Sequence, residues 1–296
     1  MNSTILPPAA AQLTEPTSIA LAQRIQRQPI LLSPSSTAIA TALVQQGSGS
    51  PLLLLHGFDS SLFEFRRLQP RLAPHYATWN VDLLGFGFTD RPVDVPFTPS
   101  SIKTHLYYTW KTLIGEPMTL VGASMGGAAA IDFALTYPDA VKSLVLIDSA
   151  GFAKGPDISK FMVPGLGYLA TKFLSRPGVR RKVSLQAYAD SSFVTPDAEL
   201  CAALHLQHPR WQDALIAFTK SGGYNFLADK IAHITQPTLI LWGDRDRILG
   251  TADAEKFKAA IAHSQLVWIP NCGHVPHLEK PQETADAIRQ FNPSSF

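Results

Sequence analysis

The stretch LVGASMGGAAA, residues 120–130, decides how the rest of the chain is read. Gly122, Ala123, Gly126 and Gly127 carry almost no side chain, and Ser124 stands in their middle. The apolar run before it (TLVGA) reads as a strand, and the run after it (MGGAAAIDFALTYP) reads as a helix. Ser124 therefore lies at a strand-to-helix junction. Gly122-Ala123-Ser124-Met125-Gly126 fits G-x-S-x-G, the sharp turn that lifts a serine hydroxyl above the end of a sheet. Such a turn strains the serine backbone and draws strand and helix together, so the neighbouring side chains must be tiny. The helix N-terminus behind the serine adds partial positive charge where an oxyanion would form. Gly/Ala/Ser strings also occur as ordinary helix N-caps. A strand before, a helix after and four small neighbours favour a nucleophile.

Outward from this turn, short apolar runs end in turn residues: PILLS, STAIATALVQ, PLLLLHG, YATWNVD, MTLVGAS, VKSLVLIDS, PTLILWGD and QLVWIPN. Several are continuously apolar rather than alternating, the pattern of strands buried on both faces. Helical stretches at 99–113, 125–137, 252–262 and 281–291 separate them, two opening with a proline in the first turn. Strands alternating with helices predict an α/β fold with a mostly parallel sheet covered on both sides. The interval 150–232 has no clear strand and is too long for a simple crossover, so it is expected to be an inserted helical cap. That leaves 28–149 and 233–296 as the α/β core. Residues 1–27, rich in Pro, Ala and Gln, are expected to be a loose extension.

Composition excludes several classes. With 296 residues, 46% apolar and 16% charged, the chain can bury a large core. A net charge of +2 is too weak a bias for nucleic-acid binding. Two cysteines, Cys201 and Cys272, make no disulfide framework and read as free thiols in a reducing compartment. No apolar run reaches the length of a spanning helix, and the N-terminus lacks the basic and apolar regions of a signal peptide. An intracellular protein is expected.

A serine at its ordinary pKa is a poor nucleophile and needs a base. His274 has the best context, in a loop just after the last strand (LVWIPNCGHVPHLEKP). His277 is the alternative, although Pro276 and Glu279 beside it suggest a structural or surface residue. His56 reads as a hydrogen-bonded structural histidine. His205 and His208 form H-x-x-H, but no carboxylate or third ligand stands beside them to make a metal site. The base needs an orienting acid, and LILWGDRDRI ends a strand with Asp244 and Asp246. Asp246 lies deeper in the loop, and the chain order Ser…Asp…His is that of the hydrolases with this turn. Asp244 suits a turn hydrogen bond, and Asp148, ending LVLID, is the second-choice acid. Two N–H donors should form an oxyanion hole: that of Met125, after the nucleophile, and that of Phe58, in LLLLHGFDSS after an earlier strand. The G-x-G of DLLGFGFTD lacks a third glycine and reads as a turn beside the site.

With these residues in place the chain resembles the α/β-hydrolases that carry a helical cap, from about residue 50 to 291. Ser124 separates it from the haloalkane dehalogenases and epoxide hydrolases of this fold, which use an aspartate there. LHGFDSS (55–61), FEFRRLQPRL (63–72), WNVDLLGFGFTD (79–90), WQDALIAFTKSGGYN (211–225) and NCGHVPHLEKP (271–281) further resemble the chlorophyll dephytylases. SGGYN and the residues after the histidine are more specific than the serine turn itself. The resemblance implies hydrolysis of a phytyl ester of chlorophyll or a related pigment, with no cofactor. The chlorin magnesium would be a passenger. It also implies a cytoplasmic or peripherally thylakoid-bound protein. The first 27 residues, short and poor in arginine, are unlike a plant transit peptide, so the implied source is cyanobacterial.

The segment FMVPGLGYLATKFLSRPGVRRK (161–182) places Met162, Leu166, Leu169 and Phe173 at helical spacing beside Lys172, Arg176, Arg180, Arg181 and Lys182. An apolar stripe with flanking cations can lie in an anionic membrane surface; the commoner use of such a stripe is to pack onto a core. Three functions remain: a phytyl-ester hydrolase, a carboxylesterase or carbon–carbon bond hydrolase with a small soluble substrate, and a non-catalytic binding protein. The complete serine, acid and histidine set argues against the last.

Overall fold

Apolar side chains occupy both faces of the strands because both faces of the sheet are covered. A computed structural model describes residues 5–33, 36–152 and 165–295. Its eight strands are β1 (Gln26–Ile30), β2 (Ile39–Gln46), β3 (Pro51–Leu55), β4 (Ala77–Val81), β5 (Met118–Ala123), β6 (Val141–Ile147), β7 (Thr238–Gly243) and β8 (Ser264–Ile269). They form one sheet in the order β1-β2-β4-β3-β5-β6-β7-β8. β2 runs antiparallel to β1 and β4, and all the other pairs are parallel. Successive residues alternate between two layers, as the strand period of two requires. Leu53, Leu55, Leu120, Leu144, Leu146 and Ile240 join one layer, while Leu52, Leu54, Val121, Val145, Leu239 and Leu241 join the other.

The helices are α1 (Pro16–Ala22), α2 (Gln69–Leu72), α3 (Pro99–Leu113), α4 (Met125–Thr136), α5 (Leu166–Leu174), α6 (Pro177–Ala187), α7 (Pro196–Ala203), α8 (Trp211–Lys220), α9 (Ala252–Ala260), α10 (Pro276–Glu279) and α11 (Pro281–Gln290). α3 shows how the sequence starts a helix: Thr98 accepts a hydrogen bond from the N–H of Ser101, and Pro99 fills the first turn. Residues of α3, α4 and α9 pack on the first face of the sheet, and α11 with Leu72 of α2 covers the second. The expected α/β architecture is the one observed. Between β6 and β7 the chain carries α5–α8, so the interval from 150 to 232 contains helices and no strand among the described residues.

The N-terminal segment is not loose. Leu13 and Leu21 are buried in a cluster with Leu62, Phe63, Phe88, Cys201 and Leu204. The carboxylate of Asp197 on α7 accepts hydrogen bonds from the N–H groups of Thr14 (2.5 Å) and Glu15 (2.9 Å) and the hydroxyl of Ser18 (2.6 Å). Glu15 in turn forms a two-pronged pair with Arg67, both contacts 2.7 Å. β1 begins earlier than PILLS, at Gln26. It is an edge strand, where the polar Gln26-Arg27-Gln28 and Pro29 are tolerated.

Asp197 thus ties α7 to a segment some 180 residues away. Asp197→Ala is expected to lower unfolding stability by about 1–3 kcal/mol, the cost of leaving the buried Ser18 hydroxyl and two part-buried N–H donors unpaired. Urea unfolding checks this, and an unchanged midpoint would mean that packing alone holds the segment.

Candidate active site

Ser124 stands between β5 and α4 with φ 52° and ψ −120°, a backbone conformation that L residues rarely adopt. Its N–H bonds Ile147 O at 2.9 Å, and its carbonyl accepts from Gly127 (3.0 Å) and Ala150 (3.0 Å). The small neighbours have a steric reason. A Cβ on Gly122 would collide with the backbone of Gly126, one on Gly126 with the carbonyls of Leu55 and His56, and one on Gly127 with the Ser149 side chain. The N–H of Met125, in the first turn of α4, has no acceptor within the helix.

His274 and Asp246 are brought together. Nδ1 of His274 lies 2.9 Å from Oδ2 of Asp246. That bond places the ring proton on Nδ1 and leaves Nε2 with a lone pair, a tautomer assigned from the hydrogen bonding. Asp246 also accepts from the N–H groups of Ile248 (2.7 Å) and Leu249 (3.1 Å). Burial opposes its ionisation, but the histidine and these donors hold its pKa below the ordinary carboxylate value. The loop is fixed from below: His274 N–H bonds Ala187 O at 2.7 Å, and a Cβ on Gly273 would strike that same carbonyl. Asp244 instead accepts from Cys272 N–H at 3.2 Å. His277, open to a surface reading from the sequence, is fully buried, with Nε2 3.1 Å from Glu64 Oε1.

The loop after β3 is built by buried polar groups. His56 is fully buried; Nδ1–H donates to Gly57 O (2.8 Å) and Nε2 accepts from Leu83 N–H (3.2 Å). Burial pushes its pKa down to about 4, so it is neutral and structural. Glu64 accepts from Gly57 N–H at 2.9 Å. Gly57 comes so close to Ser124 that a Cβ there would lie 3.3 Å from the serine Cβ. Phe58 follows, its ring half-exposed and in contact with Phe86 and Phe218.

Two acids escaped the sequence reading. Asp59, at φ 49°, accepts from Arg180 (2.7 Å), Trp211 Nε1 (2.7 Å) and His205 Nε2 (3.2 Å). Burial opposes its charge, but the His205 bond and the Arg180 guanidinium outweigh it and hold the pKa at about 2. His205 therefore serves Asp59. His208 turns the other way, to Arg27 and Arg91, so H-x-x-H does not converge on a cation. Glu279 is the second acid. It accepts from Gly273 (2.8 Å), Asp190 (2.7 Å) and Ala189 (3.1 Å), joining the His274 loop to the end of α6. The partners of Asp59 lie far along the chain, and Glu279 combines the nearby Gly273 with the distant Ala189 and Asp190, a pattern that no local spacing marks. Among the described residues, Asp148, Asp246 and His274 form the one histidine–carboxylate group tight enough to hold a common cation.

Ser124, His274 and Phe58 line one cavity of about 350 Å³ together with Leu174, Val179 and Val183 of the inserted helices. Met162 lies outside the described residues. Leu166, Leu169 and Phe173 are 53%, 65% and 52% exposed. α5 packs through its small and polar side instead: Gly167 lies against Ile216, and Thr171 accepts from Gln212. Lys172, Arg176 and Lys182 are exposed, and Arg181 pairs with Glu199. Arg180 does not belong to that outer face. Its guanidinium turns inward to Asp59 and to Ala202 O (2.6 Å).

Residues 52–287 match the pattern of the Alpha/beta hydrolase family. The α/β-hydrolase domain-containing protein VTE7 of Arabidopsis thaliana is 36% identical, over 97% of this chain and 89% of its own length. A 2-hydroxy-6-oxo-6-(2'-aminophenyl)hexa-2,4-dienoic acid hydrolase of Metapseudomonas resinovorans is 28% identical, over 86% of this chain and 87% of its own. Among solved structures, a thermophilic esterase from Thermogutta terrifontis superposes with a TM-score of 0.76 at 26% identity, covering 90% of this chain and 97% of that one.

The Asp59 cluster gives a pH test. Its folded pKa of about 2 lies below the ordinary 3.8, so the unfolded chain takes up the proton first. The stabilisation is present above about pH 4 and is lost as the pH falls through about 2. Wild type should exceed Asp59→Asn in stability by most above pH 4, with the gap closing in acid. A gap that does not vary with pH would contradict the charge assignment.

Proposed function

The chain belongs to the α/β-hydrolase family, and from that premise we propose that it is a serine hydrolase that cleaves the phytyl ester of chlorophyll or a related pigment. Ser124 is the nucleophile, His274 the base and Asp246 the acid that orients it. The N–H groups of Met125 and Phe58 receive the oxyanion. His274 Nε2 takes the proton of the serine hydroxyl as the oxygen attacks the ester carbonyl, and returns it to the departing phytol. The acyl-enzyme then holds the chlorophyllide until water, activated by the same histidine, releases it.

The observation that carries this reading is the cavity. Its lining is mostly apolar, and the inserted helices supply Leu174, Val179 and Val183 beside Arg180 and Ser184. At about 350 Å³ it suits a flexible hydrocarbon chain, with the planar ring left at the mouth. The rim offers that ring the exposed side chains of Phe58, Val183 and Ile248. We read α5–α8 as the cap of this site. A second reading, a small-ester or carbon–carbon bond hydrolase, is favoured by the same modest volume and by the resemblance to the dienoic acid hydrolase.

The outward apolar side of α5 fits the same substrate, which resides in membranes. Leu166, Leu169 and Phe173, bordered by Lys172, Arg176 and Lys182, match an anionic lipid surface at the cavity mouth.

Two measurements test these proposals. Purified protein given detergent-solubilised chlorophyll a should release chlorophyllide, seen by chromatography, and Ser124→Ala should not. Turnover of a short p-nitrophenyl ester without chlorophyllide would move the assignment to the second reading. Sedimentation with anionic vesicles should pull down wild type and lose most of it in Leu169→Asp/Phe173→Asp, while turnover of the soluble ester persists. Equal sedimentation of the two proteins would remove the membrane contact.

A further inference from the structure

Asp148 follows the last residue of β6 and lies close to Asp246, the acid that faces His274, and the catalytic scheme above leaves it without a task. It is fully buried, with φ 40°. Its N–H bonds Leu241 O at 2.9 Å, and Oδ1 accepts from Gly243 N–H at 3.1 Å. Oδ2 meets no donor. The group that stands nearby is another carboxyl, that of Asp246. One oxygen of each acid and one ring nitrogen of His274 lie within 4.8 Å of one another.

Two carboxylates in such a space cannot both be ionised without a compensating cation, so one proton is retained between them. Donors decide where it sits. Asp246 receives the N–H groups of Ile248 and Leu249 and the ring N–H of His274. Asp148 receives one N–H. The charge belongs where the donors are, and the proton belongs on Asp148. Its other titratable neighbours agree. Glu279, which accepts from three backbone N–H groups, pushes the Asp148 pKa further up, and burial raises that of the Cys272 thiol.

Resting on the assignment of Ser124, Asp246 and His274 above, we propose that Asp148 is a positioning residue that acts as a neutral carboxylic acid. Its O–H donates to Asp246 and fixes the carboxylate that orients His274. Burial first, then the negative charge of Asp246, raises the pKa of Asp148 well above the ordinary value, in the direction this requires. Neutrality matters to the base as well. A second anion beside His274 would stabilise the imidazolium and leave the ring protonated when it should accept the serine proton.

The test compares Asp148→Asn and Asp148→Leu by the rate of fluorophosphonate labelling across pH, which reads base assistance without requiring the natural substrate. An asparagine amide can donate to Asp246 and accept from Gly243, so its labelling should stay within about threefold of wild type with the acid limb unmoved. Leucine should lower the rate about 10- to 100-fold, the scale of a misplaced reacting group, and asparagine at the same position is the rescue. An acid limb that moves to lower pH in Asp148→Asn would show that a charge had been removed and would overturn the proposal. Infrared difference spectra of wild type against Asp148→Asn at neutral pH provide a readout independent of turnover. A band from a protonated carboxyl is expected, and its absence defeats the idea. If wild type takes no label, the serine assignment falls and the positioning role with it, whereas a missing infrared band in a protein that labels removes only the role of Asp148.

Discussion

The structure depends on a backbone approach too close for any side chain. β5 enters the serine turn, α4 leaves it, and the carbonyls ending β3 press against α4 at Gly126. Methyl groups at 122, 126 or 127 would each collide with backbone or with Ser149, so strand and helix could not meet at this angle. The same proximity forces Ser124 to a positive φ and sets its side chain at the end of the sheet. It also brings Gly57 against the serine, so the loop that begins at His56 is registered to Ser124 rather than merely near it. The strain at one residue is sustained by a sheet whose two faces are fully covered.

The legibility of these features in the sequence followed the range of the forces that make them. Strands buried on both faces need unbroken apolar runs, and seven of the eight runs became strands, while PILLS overlaps the polar edge strand β1 only at Pro29 and Ile30. The serine turn is a local steric problem with a local solution, so its pentapeptide was visible. Asp246 and His274 were separable from Asp244 and His277 by loop position, and the structure puts the first pair 2.9 Å apart. The N-terminal segment was misread because its anchor is Asp197, a single acid on a distant helix with no local signature. Asp59 and Glu279 were invisible for the same reason. Each looks like a solvated loop acid until His205, Trp211, Arg180 or the His274 loop folds over it. The α5 stripe could face either way from periodicity alone. Gly167 and Thr171 settle which side packs, since the small face allows the close approach to α8.

Buried acids do much of the fastening in this molecule. Asp197 holds the N-terminal segment, Asp59 holds Arg180 and Trp211, Glu64 holds Gly57, and Glu279 holds the loop before His274. In each case the carboxylate satisfies several donors at once, which is how a charge is tolerated away from water.

The α6 helix touches the site at both ends. Arg180, near its start, grips the residue after Phe58, and the carbonyl of Ala187, at its finish, receives the N–H of His274. The same helix therefore braces the side that would receive negative charge and the side that would move the proton. Such a helix is not an interchangeable module. A chimera that grafts another protein's insertion onto this sheet would have to reproduce an arginine and a carbonyl ten-odd ångströms apart along one helix, about the rise of seven residues. Change in the cavity within this architecture is thereby steered toward single side chains on its wall, away from wholesale exchange of the insertion.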